Sequence, residues 1–151
     1  MEELNFVVKE NLLFALDRLG EVLQYIEKLR LLGDKKASIL MDNDELERLL
    51  RDSSIQRFEF CSDLFWKYLK KYEEEVLELN LEVISPRMVI LAACKARIVS
   101  ELDSEILLEL IKDRNFTSHI YKEEIADRIS AKIPDYYKTM KKYAENLGED
   151  K

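Results

Sequence analysis

The chain has 151 residues, 47% hydrophobic and 36% charged, which suits one globular domain with one core and excludes a disordered segment. Three Gly and two Pro leave few turns, which disfavours an all-β sandwich, and no apolar run approaches the roughly 18 residues of a membrane span. The formal net charge of −7 disfavours sequence-independent nucleic-acid binding, which needs basic surface to displace counterions from phosphates.

The first periodic segment runs from about Leu4 to Leu32. Leu4, Val8, Leu12, Ala15, Leu19, Val22, Ile26 and Leu29 recur at steps of three and four residues, one face of a helix. Gly33-Asp34 ends it, and "KKASILMDND" reads as a connector. A second helix starts at Asp42 to Asp44, with acidic residues at its positive end, and continues to about Glu78. Ser53-Ser54 interrupts its apolar face and predicts a kink or break. Ser85-Pro86 is a helix start, a capping hydroxyl followed by Pro at the first helical position. The third helix covers about Pro86 to Val99. Asp103 is the expected cap of a fourth, about Ser104 to Arg114 or slightly beyond. The fifth runs from about Lys122 to Leu147, and Pro134 should kink or split it because it lacks the amide donor.

The expected product is all-α, an antiparallel up-and-down bundle of four to five helices in a single domain over 1–151, with a short polar tail from about 148. The acidic N-terminus "MEELNFVVKE" has no basic, apolar signal-peptide pattern, so the expected location is cytoplasmic. Cys61 and Cys94 lack CxxC spacing and read as small hydrophobes, and one histidine with two scattered cysteines makes no ordinary zinc site. No metal and no cofactor are expected.

One stretch departs from the plain helical text. "DRNFTSHIY", Asp113 to Tyr121, holds the only histidine, His119, at the junction of the fourth and fifth helices. Two readings are open. In the first it is a polar helix end: Thr117 or Ser118 caps the last helix, Asn115 closes the preceding one, and Arg114 pairs with a carboxylate. In the second it is a site. Histidine can accept and donate a proton near neutral pH. Arginine stays charged and grips phosphate through paired hydrogen bonds. Together they suit phosphodiester chemistry, with Asp113 and Asn115 orienting Arg114 or satisfying helix-end groups. On the second helix Gln56, Glu59 and Lys67 either border that cleft or pair with one another as surface ion pairs.

"DRNFTSHIY" resembles the R-x-x-x-x-H-x-Y pattern of HEPN-domain proteins, specifically the toxin half of HEPN–MNT toxin–antitoxin pairs, also described as nucleotidyltransferase substrate-binding proteins. "SSIQRFEFCSDLFWKYLKKY" (Ser53 to Tyr72) looks like that family's second-helix signature, and "SPRMVILAACKARIV" (Ser85 to Val99) like its third-helix entry. The resemblance covers most of the chain. It departs at Leu107-Leu108, where an aromatic, often Trp, would be expected.

The resemblance implies a dimerising bundle and a metal-independent endoribonuclease toxin acting on RNA. Arg114 and His119 would be its catalytic residues in a homodimer cleft, supported by Asp113, Asn115, Thr117 and Ser118. Tyr121 would be the residue that an MNT-type minimal nucleotidyltransferase antitoxin adenylylates to silence it. The alternative is a non-catalytic substrate- or nucleotide-binding subunit of a two-component nucleotidyltransferase. No membrane and no DNA partner are expected.

Overall fold

A computed structural model of the chain describes residues 2–32, 42–118 and 122–147, with the side chains of 2–6 excepted. Five helices follow in order: α1 (Glu2–Leu32), α2 (Asn43–Glu75), α3 (Pro86–Lys95), α4 (Glu101–Thr117) and α5 (Glu123–Asn146). The described residues contain no strand. Residues 33–41, with the expected break at Gly33-Asp34, and the tail from 148 lie outside the described residues.

Local chemistry sets three of the helix starts. The Asp42 carboxylate accepts from the Glu45 amide at 2.8 Å at the head of α2. The Ser85 hydroxyl accepts from the Met88 amide at 3.2 Å, with Pro86 opening α3 as expected. The α4 cap is Ser100, not Asp103: the Ser100 hydroxyl accepts from the Asp103 amide at 3.1 Å. Asp103 instead sits in the first turn and receives the Tyr143 hydroxyl and the Lys142 ammonium from α5.

One further boundary differs from the sequence reading, and neither expected interruption breaks its helix. α2 runs unbroken through Ser53-Ser54, because the buried Ser54 hydroxyl donates to the Arg51 carbonyl at 2.6 Å within its own turn. α3 ends at Lys95, not Val99: Arg97 takes the left-handed conformation (φ 62°), and the Ile98 amide folds back to the Ala93 carbonyl at 3.1 Å. α5 passes through Pro134 without dividing.

α2 is the central helix. It packs against each of the other four, α1 and α5 lie against each other, and α4 bridges α3 and α5. The core draws Leu12, Leu16 and Leu19 from α1 and Phe58, Cys61, Phe65 and Leu69 from α2. To these it adds Val89 and Ile90 from α3, Leu107 and Leu110 from α4, and Ile129, Ile133 and Met140 from α5. Phe58 stacks on Tyr136 with ring centroids 5.6 Å apart, which fixes α5 on α2. The α2–α4 contact then decides which side chains meet Arg114.

Candidate functional site

Arg114 lies in the last turn of α4 and faces α2. Its Nε donates to Asp63 Oδ1 at 3.2 Å and its Nη2 to Asp63 Oδ2 at 3.1 Å, a fork on one carboxylate. Its Nη1 donates to Thr117 Oγ1 at 3.2 Å and lies 3.3 Å from Glu59 Oε2. Thr117 closes the arrangement by donating its own hydroxyl to the Arg114 carbonyl at 2.6 Å. The Asp63 bonds first, and the fields of Asp63 and Glu59 after them, raise the Arg114 pKa. The guanidinium is therefore a fixed cation, with its side chain 23% exposed.

A second network lies behind it. Asp113 is buried and accepts from the Tyr136 hydroxyl at 2.5 Å, while Lys132 Nζ stands 3.5 Å from the same carboxylate. Burial, reinforced by the Asp113 bond, raises the Tyr136 pKa, so its phenol remains a donor. Asp113 thus ties the end of α4 to α5, as Arg114 ties it to α2 through Asp63 and Glu59.

A groove opens beside this cluster. A cavity of ≈ 330 Å³ is lined by Arg51, Gln56, Glu59, Thr117, Lys122 and Glu123 among others. It is bordered by both residues that flank the α4–α5 connection, Thr117 and Lys122. Arg51 is held there by Asp127 at 3.1 Å and Glu123 at 3.2 Å. Gln56 and Glu59 line this groove, and Glu59 also pairs with Arg114; Arg57 donates to the Arg18 carbonyl of α1 at 2.6 Å.

The structure thus brings together Arg114 and Thr117 and places Asp113 behind them. Asn115 and Ser118 are exposed. His119 and Tyr121 lie outside the described residues. Two expected cap roles are corrected. Asn115 does not close α4, which continues to Thr117 with Ser118 as its C-cap. Neither Thr117 nor Ser118 caps α5, whose N-cap position is Lys122 with no side-chain bond. The Thr117 hydroxyl is held by Arg114 and cannot serve the next helix.

Asp63 is the residue that the sequence reading missed. Its one signal was its position four residues after Glu59, which sets two carboxylates on one face of α2. Chemically, Asp63 takes two of the five guanidinium N–H donors, and Glu59 and Thr117 share Nη1. The second N–H of Nη2 is the one left for a further acceptor such as a phosphate oxygen. Among the described residues, no group of three or more His, Cys, Asp or Glu is placed to hold a metal ion. No helix there is long and apolar enough to cross a membrane.

Comparison with known proteins adds the following. Residues 10–149 match the family described as "Nucleotidyltransferase substrate binding protein like". A crystal structure of a Thermus thermophilus protein is similar at 30% identity over 83% of this chain and 94% of that one, with a TM-score of 0.60. The structure of a toxin–antitoxin with AMP-PNP shares the fold at 14% identity, covering 95% of this chain and 97% of that one, TM-score 0.67. So does a tri-AMPylated Shewanella oneidensis HEPN toxin in complex with an MNT antitoxin, at 14% identity over 95% and 96%, TM-score 0.66. No curated protein matches.

Proposed function

The chain belongs to the nucleotidyltransferase substrate-binding-protein-like family and has a HEPN-like fold, and on that premise we propose that it is the toxin of a HEPN–MNT pair, a metal-independent endoribonuclease of the cytoplasm. The observation that carries the reading is Arg114. It is a fixed, partly exposed cation on the last turn of α4, five residues before the only histidine. Asp63, Glu59 and Thr117 engage four of its five N–H donors, and one Nη2 N–H on a side chain still 23% exposed is left for a ligand.

In this reading His119 handles the proton. Cleavage begins when a base takes the proton of a ribose 2′-hydroxyl and that oxygen attacks the adjacent phosphorus. The P–O5′ bond then breaks and an acid returns a proton to the 5′-oxygen, leaving a 2′,3′-cyclic phosphate and a 5′-hydroxyl. One histidine per chain supplies one such group, so a two-fold homodimer would furnish base and acid as His119 of each copy. Arg114 would stabilise the charge that grows on the phosphate oxygens. Asp63, Asp113 and Thr117 hold Arg114, and Asn115 and Ser118 stand at the exposed edge. Exposed Phe60 and Phe116 flank this region on α2 and α4 and suit a contact with the second copy.

Tyr121 is the proposed off-switch. The antitoxin would transfer AMP from ATP: the phenol oxygen bonds to the α-phosphorus and pyrophosphate leaves. The attached phosphodiester would place negative charge and bulk where substrate phosphate binds. The resemblance to an AMPylated HEPN toxin supports this step.

Expression of the chain alone tests the reading. Growth arrest that is relieved by His119→Ala, with the helical circular dichroism of the variant unchanged, is the expected result. Unimpeded growth with the parent chain would favour the non-catalytic binding subunit instead. Mass spectrometry after co-expression with the partner nucleotidyltransferase should find an AMP-sized shift on the peptide containing Tyr121.

A further inference from the structure

The outer face of α1 carries apolar side chains that the bundle leaves uncovered. Val7, Phe14, Tyr25 and Leu32 are 50%, 69%, 58% and 52% exposed. Single exposed apolar residues are ordinary on a protein surface, but these four are aligned. At 3.6 residues per turn they fall within about 20° of one another around the helix. Their spacing is 7, 11 and 7 residues. That amounts to about 3.57 residues per turn, close enough to the helix's own repeat for the stripe to run straight for about 37 Å.

The stripe is also palindromic. Val7 and Leu32 are equally distant from the midpoint between Leu19 and Gly20, as are Phe14 and Tyr25, and as are Arg18 and Glu21. A two-fold axis through that midpoint and across α1 sets Val7 on the second copy's Leu32 and Phe14 on its Tyr25. It sets Arg18 on the second copy's Glu21, and each pair occurs twice. Arg18 and Glu21 already meet at 3.3 Å within α1, both about half exposed. They could exchange partners across the axis with little loss. Parallel pairing would instead oppose Arg18 to Arg18 and Glu21 to Glu21.

We propose that α1 forms a homotypic interface in which two copies of this chain pair antiparallel through this stripe, in the register set by Arg18 and Glu21. Among the described residues α1 packs on α2 and α5 and touches neither α3 nor α4. The pairing therefore uses a face away from Arg114, and it is separate from the catalytic dimer proposed above. It does not depend on that reading: if both contacts form, the assembly is a closed tetramer where the two two-fold axes cross at right angles and an open chain where they do not.

Sedimentation velocity on the full-length chain, from micromolar to near-millimolar concentration, tests this. The double substitution Phe14→Glu/Tyr25→Glu should lower the assembly mass, to a monomer or to the dimer of the other contact, while circular dichroism stays unchanged. Arg18→Glu alone and Glu21→Arg alone should each weaken self-association. An equimolar mixture of the two should restore it, because each mismatched helix then finds its complement. Three results would overturn the proposal: no self-association by the parent chain, an unchanged mass for the double variant, or no rescue in the mixture. Loss of antitoxin binding in the double variant, with its mass unchanged, would assign the stripe to that partner instead.

Discussion

Arg114 has one positive charge and two carboxylates within reach, so its neighbours decide what it can do. Asp63 fixes the plane of the guanidinium through two parallel bonds, and the direction of its remaining Nη2 N–H follows. Asp63→Asn keeps the shape but weakens the fork to a neutral contact. RNA cleavage should fall roughly tenfold in that variant. Stability should change by about 1 kcal/mol or less, because Asp63 is partly exposed. Asp63→Glu should recover part of the activity. Arg114 was legible in the sequence because its motif is local. Asp63 was not, because its partner lies 51 residues away and only the α2–α4 packing selects it from many acidic residues.

A second carboxylate makes a different prediction. Glu73 on α2 is fully buried, and neither of its oxygens has a hydrogen-bond partner among the described residues. Burial, with Glu74 adding like charge, pushes its pKa up from 4.5 to about 7. The native state thus holds this proton more tightly than the unfolded chain. Its contribution to stability is complete below about 4.5 and is lost as pH rises through about 7. Glu73→Gln should abolish that slope in urea melts. Above pH 7 the variant should exceed the parent on the order of 2–3 kcal/mol.

At the level of elements, periodicity and capping located all five helices, while their ends depended on single interactions. Ser85-Pro86 marked α3 correctly because both signals are intrinsic to the dipeptide. Ser53-Ser54 does not break α2, because a buried serine can satisfy its hydroxyl on a carbonyl of its own helix. Asp103 was the expected cap of α4, but Ser100 three residues earlier takes that place and Asp103 is engaged by Tyr143 and Lys142 of α5. Pro134 did not divide α5 because buried Ile133 and Tyr136 on either side of it anchor the helix to the core. Packing there outweighs a missing hydrogen bond, which still carries a cost. Pro134 itself is exposed, so Pro134→Ala restores an amide donor without opening a cavity. The variant should be more stable by about 1–3 kcal/mol in chemical denaturation.

For the whole molecule, the bundle follows from five amphipathic segments with short connections, and α2 becomes its centre because its apolar residues reach every neighbour. The layering could not be read from periodicity, which gives a face for each helix but no partner. It puts the α1 stripe on one side and the Arg114 region on another, so self-association and RNA chemistry can occupy separate surfaces. With a net charge of −7, an RNA substrate would have to be held by local cations: Arg51 and Lys122 line the groove, and Arg114 is bonded to Thr117 and paired with Glu59 at its edge. Cleavage should therefore weaken steeply as salt is raised.

The central claim is that His119 moves a proton during RNA cleavage. The direct measurement is the purified full-length chain on a defined RNA, parent beside His119→Ala, with the product ends analysed by mass spectrometry. The account predicts 2′,3′-cyclic phosphate and 5′-hydroxyl ends from the parent, and loss of cleavage in a variant that remains folded. Equal cleavage by the two proteins would contradict it.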